Sequence, residues 1–433
     1  MTDLIAARSQ MALSLGFHIV FAAVGIAMPL LMTIAEWRWL KTGDHVYLVL
    51  AKRWAKGTAI LFAVGAVSGT VLSFELGLLW PSFMKWAGPI IGPLFALEGF
   101  AFFTEAIFLG LYLYGWNELR PRVHVAAGII VAASGVASAI FVVIANAWMN
   151  TPTGFELVHG QPIHIDPIAA MRNPHAAGET VHMVLAAFAA TGFAVAGIHA
   201  YLLLRDRRNR FHRLALEIAL VVGGIPAILQ PLSGDLLTKA VAHHQPAKLA
   251  AIEALFHSEE GAAFRIGGLA DAEREDVRYA LEIPYGLSLL LYLDPHARVA
   301  GLDTVPRSDW PPVTVVHLAF QLMVMAGFTM MGLALWAGWR WWREHALERE
   351  TALLRALVLA APLGFLAIES GWVVTEVGRQ PWVIYGVMRT SEAVTPMPGL
   401  WIPMMTFSLL YGVLAVVVVW LLKRHIAAAA AAH

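Results

Sequence analysis

PLFALEGFAFFTEAIFLGLYLYGW fills residues 93–116, and the reading of this stretch decides the fold. A helix needs about 20 consecutive apolar residues to cross the hydrocarbon core of a bilayer. This run meets that length with no cation and only two carboxylates, Glu98 and Glu105. Backbone groups cannot stay unpaired in lipid, so the run reads as a helix and not as an open strand. An interval of seven residues is close to two helical turns, which puts both acids on one face. Ionisable groups inside a span are costly and point first to function. A pair of hydrogen-bonded structural acids, a proton path and a metal site all fit that arrangement.

Working outward, the chain holds eight more such runs. Together the nine lie near 11–34, 57–79, 92–116, 123–148, 178–204, 214–233, 312–338, 354–376 and 400–422. Composition agrees: 59% of residues are hydrophobic and 14% charged, against roughly 45–50% and about 25% in soluble domains. Mean hydropathy is +0.66. The expected fold class is therefore all-α, a polytopic membrane protein of about nine transmembrane helices. Net charge is zero, so nothing points to nucleic acid. The absence of cysteine excludes disulfides, thiolate metal sites and thioether-attached haem. A metal must then be held by His, Met or carboxylate. The N-terminal MTDLIAARSQ is polar and carries Asp3, unlike a cleavable signal peptide. The final AAAAAAH is low-complexity and is expected to be disordered.

Lys and Arg in the short loops set orientation. They gather after span 1 (Arg38, Lys41, Lys52, Arg53, Lys56), after span 3 (Arg120, Arg122) and in RDRRNRFHR at 205–213. They recur after span 7 (Arg340, Arg343, Arg349) and at Lys423 and Arg424. All five segments fall on one side, read as cytoplasmic. The N-terminus is then outside and the C-terminus cytoplasmic. The loop between spans 6 and 7, near 231–311, is far longer than the rest and is acidic through Glu259, Glu260, Asp271, Glu273, Glu275 and Asp276. Its apolar run EIPYGLSLLLYL is too short to span, so partial folding at the outer surface is expected.

Further polar residues interrupt other spans. His18 lies in MALSLGFHIVF and His182 in ETVHMVLAAF. A lone histidine on an apolar face is more often structural than a ligand. Met323 by itself reads as core. Span 8 repeats the paired acids with Glu369 and Glu376, then continues to Arg379 and Pro381. Glu376 and Arg379, three apart, also read as a simple helical ion pair. By the orientation above, His18, Glu98, His182, Met323 and Glu376 all fall in the outer half of the membrane. Five such groups on five helices suggest one site. His with Met is the axial pair of a low-spin electron-transfer haem, while His or carboxylate alone leaves an iron position open.

At this point the motifs resemble those of subunit I of cytochrome bd-type quinol oxidases, in the branch with a short quinol loop. GWVVTEVGRQPW at 371–382 is very similar to the family signature. RSQMALSLGFHIVF, ALEGFAFFTEAIFLGLYLYGW and IANAWMNTPTGFE resemble its first-, third- and fourth-helix segments, and QPAKLAAIEA at 245–254 its quinol-loop segment. The resemblance covers nearly the whole chain. It implies that His182 and Met323 are the axial ligands of a low-spin haem b. It implies that His18 and Glu376 bind two high-spin haems, one haem b and the other haem d or a further haem b. Arg379 would flank Glu376, Glu98 and Glu105 would serve proton movement or charge stabilisation, and Lys248 and Glu253 would act in quinol oxidation. One departure stands out: HLAFQLM carries Gln321 where many members have an arginine that helps stabilise the reduced low-spin haem.

The resemblance further implies one transmembrane haem-binding domain over 1–433, with a periplasmic quinol-binding loop at 231–311. The implied protein is a multi-pass subunit of a terminal respiratory oxidase in the bacterial cytoplasmic (inner) membrane. It would oxidise quinol at the outer face and reduce O2 to water, generating a proton gradient. The implied partners are subunit II, a small accessory membrane subunit, quinol, O2 and lipid. An ion-coupled transporter is the competing class, since intramembrane acids and broken helices also mark transporters. The halves show no evident internal repeat, and a transporter has no need of a His/Met pair.

Overall fold

The apolar runs become helices whose ends follow ordinary capping chemistry. In the structure, a computed structural model that describes residues 2–431, α1 runs Asp3–Thr42. The Thr2 hydroxyl accepts from the Ile5 amide at 3.4 Å, and Gly43 ends the helix with φ 70°. That left-handed C-cap suits glycine, which has no Cβ to clash. Asp44 caps α2 (His45–Leu79) by accepting from the Val46 amide. Proline opens α3 (Pro81–Tyr114) and α4 (Pro121–Asn150), where its missing N–H costs nothing. A short α5 (Pro167–Met171) precedes α6 (Ala176–Arg205) and α7 (Arg210–His244). Then come α8 (Pro246–Glu253), α9 (Gly286–Tyr292) and α10 (Val313–Glu344). The chain closes with α11 (Thr351–Ala360), α12 (Leu363–Val377), α13 (Thr390–Ala393) and α14 (Trp401–Ala431). Within the alanine-rich end expected to be disordered, α14 continues to Ala431, and Ala432 and His433 lie outside the described residues.

Among the described residues nine helical segments are long and apolar enough to span: α1–α4, α6, α7, α10, α11 with α12, and α14. The protein is 75% helical, as the all-α reading expects. Several boundaries differ from the sequence reading: α1, α2 and α3 begin at Asp3, His45 and Pro81, well before the expected starts near 11, 57 and 92. The long loop does not begin near Pro231, because α7 continues through Pro226 and Pro231 to His244. Neighbouring helices in a bundle let a span tolerate proline without ending. Span 8 is two helices, because Pro362 supplies no N–H at the junction of α11 and α12.

Lipid tails are as apolar as leucine, so helices in a bilayer associate through close packing of small residues. Here α6 packs against α1, α4, α7, α11 and α12. A Cβ on Gly192 would lie 2.4 Å from the Gly223 Cα of α7, and one on Gly364 of α12 only 2.2 Å from the Ala190 Cα. The largest core joins Leu31, Leu50, Phe193, Ala215 and Leu357, all fully buried. By contrast α3 and α14 leave Phe100 74%, Phe103 67% and Leu409 71% exposed, as lipid or a second subunit would require.

The segment between α7 and α10 is folded beyond the partial order expected. Three antiparallel pairings nest within one another: 259–260 with 298–299, 264–266 with 281–283, and 269–271 with 276–278. EIPYGLSLLLYL contributes one of these strands and then α9. Beneath them Leu249, Ile252, Leu287, Val299 and Leu302 form a separate core against Val316 of α10 and Val374 of α12. Arg265 pairs with Glu259 and Glu282, and Arg307 with Glu275, so much of the acidity is locally neutralised.

Candidate functional site

A polar assembly lies where α4 and α12 end and α8 begins. Glu376, one residue from the end of α12, takes two hydrogen bonds. Arg379 Nη2 donates to its Oε2 at 2.5 Å, and Asn146 Nδ2 of α4 donates to its Oε1. Asn150, one turn further along α4, donates from Nδ2 to Asn146 Oδ1 at 3.2 Å and to the Asn146 carbonyl at 3.1 Å. Lys248 Nζ donates to Asn150 Oδ1 at 2.6 Å. Lys248 is 3% exposed and its stem lies close to Gly378, so three of the expected site residues, Lys248, Glu376 and Arg379, come together. Burial lowers the Lys248 pKa, with the Glu179 carboxylate opposing that shift. Arg379 is 2% exposed, and its Nε and Nη1 have no partner within the chain.

The two histidines share one local design. His18 Nδ1 lies 2.9 Å from Ser68 Oγ of α2, and His182 Nδ1 lies 2.9 Å from Ser233 Oγ of α7. Each serine hydroxyl donates to a backbone carbonyl, Val64 and Gln230 respectively. A hydroxyl already donating its hydrogen can only accept from the ring. Nδ1 therefore carries the proton and Nε2 keeps the lone pair, the state a metal-binding imidazole needs. A glycine faces each ring: a Cβ on Gly69 would sit 3.0 Å from His18 Cε1, and one on Gly234 3.4 Å from His182 Cε1. Met323 on α10 faces Gly371 of α12 in the same way, with Sδ 3.1 Å from a Cβ placed there. His182 Nε2 currently accepts from Gln230 Nε2 at 3.1 Å. His18, His182 and Met323 each meet a different neighbouring helix, α2, α7 and α12 respectively.

Glu105 is 5% exposed and lies between α1 and α4, 3.3 Å from a Cβ placed on Gly135 and 3.9 Å from one on Gly25. Glu98, about 10 Å away along α3, is half-buried. Glu253, the last residue of α8, is 2% exposed and neither carboxylate oxygen has a hydrogen-bond partner. Burial pushes its pKa up to about 8, with Arg265 pulling the other way. Gln321 binds the loop backbone. Its Oε1 accepts from the Gly267 amide at 3.0 Å and its Nε2 donates to the Arg265 carbonyl at 3.1 Å, pinning the loop to α10.

Sequence reasoning did not single out Asn146, Asn150, Ser68 or Ser233. The asparagines did leave a signal, since IANAWMN sets two amides four apart on one helix face. It also passed over a buried pair at the opposite end of α4, where His124 Nδ1 lies 2.7 Å from Glu36 Oε1.

The family model described as cytochrome bd terminal oxidase subunit I matches residues 6–430. The solved bd oxidase from Geobacillus thermodenitrificans superposes with a TM-score of 0.92 at 38% identity, covering 98% of each chain. A Bacillus subtilis (strain 168) protein provisionally named a cytochrome bd menaquinol oxidase subunit I is 38% identical over 98% of this chain and 96% of its own length. Cytochrome bd ubiquinol oxidase subunit 1 of the same strain is 31% identical over 98% of this chain and 94% of its own. Nothing in these matches supports a transporter. With a model match from residue 6 to 430 and this fold, the chain belongs to the cytochrome bd terminal oxidase subunit I family.

Proposed function

We propose that this chain is the haem-carrying subunit of a quinol:oxygen oxidoreductase, a cytochrome bd-type terminal oxidase of the bacterial cytoplasmic membrane. It works with subunit II and a small accessory membrane subunit, with its N-terminus outside. His182 and Met323 hold a low-spin haem b. His18 and Glu376 hold a high-spin haem b and a third haem, d or b. The observation that carries the reading is the arginine beside Glu376, whose buried Nε and Nη1 have no partner. Glu376 meets the charge through Nη2, but buried N–H donors left without acceptors cost about 1–3 kcal/mol, and haem carboxylates are acceptors that would meet them. The serine-fixed histidines, each with its lone pair on Nε2 and a facing glycine, fit planar metal-bearing rings, with Gln230 giving way at His182.

When bound, the haems supply electron transfer and the reduction of O2, while the protein supplies position and protons. Quinol is oxidised in the loop between α7 and α10. There the Glu253 carboxylate accepts a hydroxyl proton. Lys248 keeps a positive charge close to Glu376. Glu105 and Glu98, on one face of α3, hold and pass protons between the cytoplasm and the bundle interior. A proton drawn from the cytoplasm toward the outer half of the membrane moves against the potential, worth about 2.3 kcal/mol per 100 mV for a full crossing, so such a route conserves energy.

A reduced-minus-oxidised spectrum of the purified complex, taken with quinol as the reductant, tests the proposal. Low-spin and high-spin haem bands together with quinol-dependent O2 uptake are expected. A complex of both subunits without haem bands refutes it.

A further inference from the structure

Lys248, Asn150, Asn146 and Glu376 form an unbroken file of side chains from the loop helix α8 to the end of α12. An ammonium group can only donate and a carboxylate can only accept. Each asparagine amide has one of each. With a donor fixed at one end and an acceptor at the other, both amides have a single consistent orientation. Asn150 Oδ1 must face Lys248, and Asn146 Nδ2 must face Glu376 Oε1. The charges at the two ends thus polarise the file in one direction, which strengthens every bond in it. The Asn150 amide also contacts the Asn146 carbonyl at 3.1 Å, which fixes it to the helix backbone. All this happens away from water: Asn150 is fully buried and Lys248 is 3% exposed.

We propose that Asn150 and Asn146 are positioning residues through which the Lys248 ammonium sets the donor strength of the Glu376 carboxylate toward its haem iron. This rests on the reading that Glu376 is a haem ligand. The bond from Asn146 withdraws electron density from Oε1. Breaking the file weakens that bond, makes the carboxylate a stronger donor and favours the ferric state. The haem potential then falls, since axial ligands and their hydrogen bonds set it. Because Lys248 belongs to the loop helix, anything that moves α8 is felt at Glu376 through this file.

The test uses the haem-loaded complex of both subunits and reads spectra and midpoint potentials. Glu376→Ala first identifies the spectral component of its haem. If no component is lost or altered, the ligand reading fails and the relay fails with it. With the component assigned, Lys248→Met, Asn150→Leu and the double variant are titrated. Each single change is expected to lower the potential of that haem. The double variant should fall no further than the larger single, because both act on one path. An unshifted potential in Asn150→Leu overturns the relay while leaving the ligand reading intact, as do shifts that add in the double. Should Asn150→Leu fail to assemble, Asn150→Ser keeps a small polar group too short to bridge. The same lowering is expected there, and its absence is equally decisive.

Discussion

Replacing Glu253 by glutamine separates a catalytic base from a buried spectator. The side chain is 2% exposed, with both oxygens free of partners, so glutamine fits the same space and breaks no hydrogen bond. Burial places the carboxyl pKa at about 8. The basic form is then about a tenth of the population at pH 7, half at pH 8 and nearly all by pH 9. If Glu253 takes the quinol proton, oxidation should rise about fivefold from pH 7 to pH 8 and level off near tenfold. Glu253→Gln should lose that rise and lower kcat by roughly 10²–10⁴. Arg265 opposes the upward shift, so Arg265→Gln should move the rise to higher pH. Steady-state O2 uptake with a soluble quinol analogue across this range measures all three. A glutamine variant with unchanged kcat and the same pH rise would refute the argument.

His182→Ala and Met323→Leu should each remove the low-spin haem absorption while the protein still inserts, and optical spectra of purified membranes check this. Glu105→Gln keeps size and hydrogen bonding but cannot relay a proton by ionising. In proteoliposomes it should retain its haems while losing most O2 reduction and the coupled membrane potential; undiminished, potential-generating turnover would exclude the proton role. Gly364→Ala would drive a Cβ to within 2.2 Å of the Ala190 backbone, so α6 and α12 must part. An overpacking cost of about 1–3 kcal/mol is expected, read as a lower Tm of the solubilised protein.

The spans were legible because a twenty-residue apolar requirement leaves few alternatives, although α1, α2 and α3 begin well before their apolar runs. What the sequence hid was local or distant context. Pro231 reads as a terminus, yet packing against neighbouring helices carries α7 past it to His244. Pro362 lies within one apolar run but breaks it into two helices, because hydropathy does not register a missing N–H. At the site, His18, His182 and Glu376 were visible as polar residues where none should be. Their partners were not. Ser68 and Ser233 are unremarkable in composition, and Asn150 meets Lys248 from 98 positions away. Lys248 was expected to act in quinol oxidation within the loop, and its contact with Gly378 also ties it to α12.

The nested pairings of the loop dictate an order of assembly. The innermost pair, 269–271 with 276–278, closes a short turn and can form within microseconds. The middle pairing then adds a short stretch on each side, and the outermost adds 261–263 on one side and the α9 segment, 284–297, on the other, so each closure costs less entropy than closing the whole loop at once. The outermost, 259–260 with 298–299, would face a long open loop if it had to form first. The ribbon therefore zips from tip to base. Arg265 and the Gly267 amide meet Gln321 only when the base has closed, so the cover over Glu253 is completed last. A nascent chain stalled before α10 should already protect the tip amides from hydrogen exchange while those around Glu253 still exchange freely.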